Sequence, residues 1–129
     1  MSYQEAYSSY HSTSLDAQTS RASPIELVLL LTDGLLDELA RARAHIAAQR
    51  YEQRAASINK CVDIINGLSS SLDFDSGGKV VANLAALYEF CANHLHGAGL
   101  KQDPAMVDEV VNIMGTIRKG WAGVQVRNG

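Results

Sequence analysis

The stretch RASPIELVLLLTDGLL, residues 21–36, predicts the start of an amphipathic helix and, with it, a helical fold. Ser23 and Glu26 have the spacing of a capping box, in which two side chains accept hydrogen bonds from free backbone N–H groups of the first turn. Pro24 falls at the first helical position, where its missing N–H costs nothing. From Ile25 to Leu36, eight of the twelve side chains are Ile, Leu or Val. That is more than one buried face of a surface helix requires.

Three further stretches repeat their apolar residues at helical spacing. The predicted helices cover approximately residues 23–48, 51–72, 79–98 and 104–126. Gly97 and Gly99 are expected to end the third helix, and Asp103 with Pro104 to begin the fourth. In the third helix, the residues predicted to face the core are Val80, Leu84, Leu87, Cys91, Leu95 and Ala98. Short connections favour antiparallel neighbours, so we predict an all-α, antiparallel four-helix bundle over residues 23–126.

Residues 1–22 differ from the rest in composition. They are rich in Ser, Thr, Gln and Tyr and contain little Leu, Ile or Val, so this segment is not expected to fold alone. We predict a flexible N-terminal arm. Tyr3, Tyr7 and Tyr10 are spaced to share one side of a helical turn, which would let the arm pack on the bundle as a short helix. A disordered tail and a docked arm both remain open.

Composition and charge argue against several classes of partner. The chain has 129 residues and a net charge of −3, whereas a nucleic-acid binder needs a dense basic face. The N-terminus has no apolar signal sequence, and the apolar run Leu27–Leu31 is too short to cross a bilayer. We therefore expect a cytosolic protein that neither inserts into a membrane nor binds nucleic acid. Cys61 and Cys91 are expected to be buried thiols.

No motif points to catalysis. None of the four histidines has a Glu three residues before it, which is the signature of di-metal sites in helical bundles. His94 and His96 would point away from each other on a helix, so they are not expected to share a metal ion. The sequence predicts no catalytic residue, metal site or cofactor. Two alternatives stay open: a cofactor- or metal-binding bundle enzyme assembled from distant residues, and a structural bundle that homodimerises.

Each predicted helix has one stripe of apolar residues that faces the core, and further apolar residues lie beside these stripes. They exceed what a four-helix core needs. These residues are Leu27, Leu30, Ile64, Val81, Tyr88, Val107 and Val111. Either the core is wide, or the surplus forms a groove for an amphipathic segment of another protein. For the second case, the predicted partner-binding residues are Ile64, Leu68, Val81, Leu84, Tyr88, Val107 and Val111.

An ordered set of short motifs resembles the FliS family of flagellin export chaperones. The motifs are ASPIEL at 22–27, Asp33-Gly34, SSLDF at 70–74, Gly77-Gly78, NLAALYEF at 83–90 and Trp121. The resemblance implies a cytoplasmic helical bundle that binds the disordered C-terminal segment of flagellin and blocks its premature polymerisation. It also implies delivery to the flagellar type III export gate, and an N-terminal segment, with Tyr7 and Tyr10, that lies over the flagellin site as a lid.

Overall fold

The structure, a computed structural model, describes residues 23–73 and 75–128, which form four long helices. The helices are α1 (Pro24–Ala47), α2 (Tyr51–Ser70), α3 (Gly78–Lys101) and α4 (Pro104–Asn128). Helix α1 packs against α2 and α4, and α3 packs against the same two helices. The predicted all-α four-helix bundle is confirmed. The predicted arm, residues 1–22, lies outside the described residues.

The two proline-containing helix starts follow the capping signals. The hydroxyl of Ser23 accepts a hydrogen bond from the Glu26 N–H at 3.2 Å, and Pro24 occupies the first helical position. Before α4, the Asp103 carboxylate accepts a hydrogen bond from the Ala105 N–H at 3.0 Å. Each cap satisfies an N–H that has no partner within the helix. The predicted beginnings of α1 and α4 are confirmed.

Helix α3 runs past the two glycines that were expected to end it. It continues to Lys101 and stops at Gln102, which has the left-handed φ of 52°. A Cβ atom at Gly99 would lie 2.9 Å from Cδ1 of Ile58, and one at Gly97 would lie 3.0 Å from Cε of Met106. The prediction was wrong because these glycines permit close approach of neighbouring helices and are not stop signals here.

Two bidentate ion pairs bridge α1 and α4. Arg43 donates to both carboxylate oxygens of Asp108, at 2.7 and 3.2 Å. Arg118 donates in the same way to Asp33. The pairs are ten residues apart on each helix and have opposite polarity. Both pairs therefore fit one antiparallel register, and a slip of one residue would break both.

A buried polar contact joins α1 to α2. Ser57 donates a hydrogen bond to the Glu38 carboxylate at 2.8 Å, and Arg41 donates to its other oxygen at 3.1 Å. Burial alone would raise the pKa of Glu38. The hydrogen bonds from Arg41 and Ser57 and the charges of Arg41 and Lys60 outweigh burial, so the pKa is lowered. Glu38 is thus a paired, ionised group between the helices.

Apolar side chains from all four helices fill the interior. Among the largest fully buried side chains are Leu35, Leu39, Ile65, Leu68, Tyr88, Leu95 and Met114. Cys61 and Cys91 are buried and free, as predicted. Burial raises the pKa of the Cys61 thiol to about 12 and that of Cys91 to about 11. Both are therefore neutral thiols that pack as small apolar side chains. Neither is a strong nucleophile, because only the thiolate form of cysteine is.

Candidate partner-binding groove

Three depressions follow the seam between α2 and α3. Tyr88 lines both the first and the second, and His96 lines both the second and the third, so each depression shares a lining residue with the next and the three form one row. We call it the α2–α3 groove. It extends on α3 from Val81 to Leu100, a distance of about 28 Å at the rise of an α-helix. A feature of this length can hold a segment of another polypeptide chain.

The first depression, the apolar end, has a volume of about 220 Å³. It lies where α2 ends and α3 begins, and side chains from all four helices line it. They include Ile25, Val28, Leu68, Val81, Tyr88 and Trp121. Leu68 and Tyr88 are fully buried at its base, whereas Val81 remains half-exposed. A cavity of this composition suits an apolar side chain, because few polar groups would be left without hydrogen bonds.

Tyr88 contributes a hydroxyl, a polar group, to the apolar end. Burial raises the pKa of Tyr88, and a hydrogen bond with the Trp121 side chain partly opposes that rise. The phenol therefore stays neutral at physiological pH. A Tyr and a Trp side chain from α3 and α4 thus shape one wall of the apolar end, and their contact ties the end of α4 to α3.

Glycines shape the entrance to the apolar end. A Cβ atom at Gly77 would lie 1.7 Å from Cγ2 of Val81, so position 77 has no room for a side chain. Gly78 has a φ of +56°, which favours glycine. The Asp73 carboxylate accepts hydrogen bonds from the backbone N–H and the hydroxyl of Ser76, and these bonds lower the pKa of Asp73. Asp73, Ser76, Gly77 and Gly78 therefore each contribute a specific contact or backbone conformation to the turn between α2 and α3.

The other two depressions are more polar than the apolar end, and the middle one is the most polar of the three. The middle depression, of about 460 Å³, is lined by polar groups that include Asn66, Ser69, Glu89 and Asn93. The third, which we call the polar end, measures about 340 Å³ and lies where α2 begins and α3 ends. Its polar side chains are Arg54, Asn59, His96 and Gln102. The groove thus has two chemically different ends, which can distinguish the two directions of a bound chain.

The structure brings together three of the seven predicted partner-binding residues. Leu68, Val81 and Tyr88 line the apolar end. Leu84 is half-buried against the core, and Val107 is fully buried within it. Neither of these two lines one of the three depressions. Whether any of the seven contacts a partner stays a prediction.

Ile64 and Val111 lie on other seams of the bundle. Ile64 follows Ser57 by two helical turns, and Ser57 contacts Glu38 of α1. Val111 precedes Arg118 by two turns, and Arg118 also contacts α1. Both side chains pack partly buried against the core. The seven residues therefore do not form one groove, because an off-stripe position can flank either neighbouring helix.

A row of exposed apolar side chains on α3 was missed by the sequence analysis. Val80 is 69 % exposed, Leu87 40 % and Phe90 48 %, whereas Tyr88 is only 1 % exposed. Val80 and Leu87 had been predicted to face the core, and that prediction was wrong. Helix α3 is turned so that Tyr88 points inward and Leu87 outward. We call Val80, Leu87 and Phe90 the α3 ridge.

A polar residue on the same flank could have revealed this orientation. The Phe90 ring stacks on the His94 ring with centroids 4.9 Å apart, and His94 contacts Glu109 of α4. His94 lies two turns after Leu87 and one turn after Phe90, so it shares their side of the helix. A histidine seldom lies in the centre of an apolar core, and its position would have placed Leu87 near the surface.

Comparison with known proteins then identifies the family. The family described as Flagellar protein FliS matches residues 5–128. The chain belongs to the FliS family. It is 34 % identical over 120 residues to the flagellar secretion chaperone FliSB of Pseudomonas aeruginosa, covering 93 % of this chain and 95 % of that protein. It is also 34 % identical over 112 residues to the flagellar secretion chaperone FliS of Vibrio cholerae, covering 87 % of this chain and 82 % of that protein.

The more distant FliS relatives bear the same name. The flagellar secretion chaperone FliS of Salmonella typhimurium is 31 % identical over 113 residues, which cover 87 % of this chain and 84 % of that protein. FliS is a family of chaperones and not of enzymes, which confirms the prediction of a non-enzymatic protein. None of the described helices is long and apolar enough to cross a membrane. Within residues 23–73 and 75–128, no three His, Cys, Asp or Glu side chains are placed to hold a metal ion.

Proposed function

We propose that this FliS-family protein is a flagellar export chaperone that binds the disordered C-terminal segment of flagellin along the α2–α3 groove. The observation that carries the proposal is the row of three depressions, each sharing a lining residue with the next, from Val81 to Leu100. Membership of a family whose relatives are named flagellar secretion chaperones supports the choice of partner. Apolar side chains of the guest segment would occupy the apolar end.

The dimensions of the groove suit a segment that folds as it binds. A length of about 28 Å matches some 19 residues of helix or 8 residues of extended chain. Ordering a disordered segment costs part of the contact free energy, so the complex can be specific without being permanent. A chaperone needs both properties, because it has to mask the apolar stripe of flagellin and later release it for export.

The N-terminal arm is proposed to cover the apolar end when flagellin is absent. Pro24 and Ile25 line this depression, so the chain enters the described bundle at Ser23, directly beside it. Tyr7 and Tyr10 are the proposed contacts, because tyrosine combines a large apolar ring with a polar tip. Deleting residues 1–18 should tighten flagellin binding and leave the bundle's melting temperature unchanged. Unchanged affinity would rule out a lid.

The proposed site of action is the cytosol, followed by delivery to the export gate. A chaperone that holds flagellin before secretion has to meet the secretion apparatus with its guest still bound. Co-purification of the chaperone–flagellin complex with the cytosolic part of the export gate tests this step. Retention of the complex is expected, and loss of both proteins from the gate would contradict delivery.

Isothermal titration calorimetry with the flagellin C-terminal segment tests the groove. The variant Val81→Asp places a charge in the apolar end, and it should weaken binding by at least about fiftyfold. An acidic residue in the first turn of α3 is compatible with the helix dipole, so the fold should be retained. Val126→Asp, at a valine that is 80 % exposed on α4, is the matched control and should leave affinity unchanged. Equal affinities of the two variants would place the guest elsewhere.

A homodimerising bundle is the competing proposal, and the exposed α3 ridge is the observation that favours it. Sedimentation across a concentration series separates the two. We expect a monomer that forms a one-to-one complex with the flagellin segment. A dimer that Leu87→Ser dissociates, together with no binding of flagellin, would support the competing proposal instead.

A further inference from the structure

Arg54 dominates the polar end of the α2–α3 groove. Its Nε atom is buried and has no hydrogen-bond acceptor among the residues that the structure describes. The guanidinium carbon lies 5.3 Å from the centroid of the Tyr51 ring, a distance typical of a cation–π contact. Arg54 is thus held in place by an aromatic ring while part of its donor capacity is unused. Buried donors of native proteins usually have a partner, and an unpaired one needs an explanation.

The surroundings of Arg54 favour an anionic group. Asn59, His96 and Gln102 add polar side chains to the same depression. Arg50, the N-cap residue of α2, lies one turn before Arg54 and donates to His45, and Lys101 ends α3 between the lining residues Leu100 and Gln102. The acidic residues at this end of the bundle include Glu52, Asp103 and Asp108; the Asp103 carboxylate already caps the Ala105 N–H, and Asp108 is paired with Arg43. The polar end therefore offers more positive than negative charge.

An exposed apolar residue borders the same depression. Leu100 lines the polar end and is 86 % exposed, and Tyr51, against Arg54, is 52 % exposed. A small free anion would contact neither side chain. A polypeptide that carries an acidic residue next to an apolar one would pair with Arg54 and cover Leu100 at the same time. The combination points to a peptide carboxylate and not to an inorganic anion.

We propose that the polar end is a carboxylate-binding subsite in which Arg54 pairs with an Asp or Glu side chain of the guest segment. A guanidinium offers two parallel N–H donors that match the two oxygens of a carboxylate. A small rotation of the Arg54 side chain would present its buried Nε–H together with a terminal N–H. Because the opposite end of the groove is apolar, this pair fixes the direction in which the guest lies. The inference rests on the proposed binding of flagellin in the groove.

Calorimetry with the flagellin C-terminal segment tests the subsite through a matched pair of variants. Arg54→Gln should weaken binding at least about tenfold, and Arg50→Gln, with the same charge change one turn away, less than about twofold. Arg54→Lys should fall between them, because it keeps the charge and loses the planar fork. Circular dichroism confirms that each variant is folded. If Arg54→Gln binds as tightly as Arg50→Gln, the subsite is wrong although flagellin binding stands.

Replacing each acidic residue of the flagellin segment by its amide identifies the partner of Arg54. One replacement should weaken binding to the wild-type chaperone and have no further effect on Arg54→Gln, which is the signature of a direct pair in a double-mutant cycle. Effects that simply add for every acidic residue would show that Arg54 acts only through general electrostatic attraction, which would overturn the proposal.

A second measurement tests the carboxylate-binding subsite independently of flagellin. It applies even if the flagellin segment does not bind, which would refute the proposed function. The Arg54 Nε–H resonance is followed by NMR while N-acetyl-Leu-Glu-Leu-amide is added, with its Gln counterpart and sodium acetate as controls. The acidic peptide should shift this resonance at lower concentration than acetate, and the Gln peptide should not shift it. Equal effects of the acidic and Gln peptides, or of the peptide and acetate, would overturn the subsite.

Discussion

The α1–α4 seam and the α2–α3 seam join helices of similar length in the same antiparallel sense, but they are built differently. Two bidentate Arg–Asp pairs bridge α1 and α4, with a half-buried Val111 between them. Across α2 and α3 the described residues form no ion pair, and three depressions follow one another instead. One seam is closed by directional contacts, and the other leaves surface for a guest.

Helix α1 explains how the bundle tolerates an open seam. It is tied to α4 by Asp33 and Arg43 and to α2 by Glu38. Helices α2 and α4 are therefore positioned by α1, and α3 packs between them without having to seal the groove. With the guest in the proposed groove, stability and binding would depend on different sides of one small domain. Substitutions on the two sides should accordingly have separable effects.

Ile64→Asp should give the largest loss of stability. Ile64 packs against the core at the closed α1–α2 seam, and a carboxylate there would lose its hydration without gaining a partner. We expect the free energy of unfolding in urea to fall by about 3 kcal/mol. Any protein that remains folded should bind the flagellin segment with wild-type affinity. A variant of normal stability that fails to bind would move the guest from the α2–α3 groove to α1–α2.

Gly77→Ala should affect both stability and binding. The added Cβ would overlap Cγ2 of Val81, so the start of α3 has to shift. Such overpacking costs about 2 kcal/mol, and it would deform the apolar end of the groove. Urea unfolding and calorimetry with the flagellin segment measure the two effects. Gly120→Ala, at a helical glycine with open space around it, is the control and should leave both unchanged or slightly improved. Wild-type behaviour of Gly77→Ala would contradict the described shape of the entrance.

Ser57→Ala should lower stability by about 1 kcal/mol, because Glu38 loses a hydrogen bond at a buried position. The effect should depend on pH. The pKa of Glu38 is lowered below its ordinary 4.5, so its contribution to stability is present above that value and is lost as pH falls through the folded-state pKa. The difference between variant and wild type in urea unfolding should therefore shrink under acidic conditions. A difference that grows on acidification would contradict an ionised Glu38.

Removing the Asp33–Arg118 pair should have the smallest effect. Both side chains are more than one-third exposed, and a pair of this kind contributes about 0.5 kcal/mol. A double-mutant cycle with Asp33→Asn and Arg118→Gln measures the coupling, which should decrease in high salt. Flagellin affinity should not change. Reduced affinity together with normal stability would show that the closed seam also binds the guest.

The helix starts and the four-helix architecture could be predicted from the sequence because they depend on local signals. Ser23, Pro24, Asp103 and Pro104 act within a single turn, and the apolar period is independent of partners. The end of α3 could not be predicted. Whether Gly99 ends a helix or allows Ile58 to approach depends on a contact between residues far apart in the chain.

The orientation of each helix about its axis was also beyond the sequence. Leu87 and Tyr88 are neighbours, and either could have faced the core. Tyr88 is 1 % exposed and Leu87 is 40 % exposed, so the residue that had been placed beside the stripe is the buried one. Val81 and Tyr88 were predicted because they combine apolar character with a position beside the stripe, whereas Leu68 lies on the stripe itself, and all three line the apolar end. Arg54 belongs to a cluster of basic residues around the first helix end that the sequence alone favours as solvated, because its proposed role depends on the distant end of α3.

NMR titration with the flagellin C-terminal segment tests the central claim most directly. Amide resonances of the described residues are followed as the segment is added to the full chain. The largest shifts should form one continuous track along α2 and α3, from Val81 through Tyr88 to His96 and Leu100, while residues around Asp33 and Asp108 should change little. Shifts concentrated along the α1–α4 seam, or confined to the α3 ridge, would contradict the assignment of the α2–α3 groove.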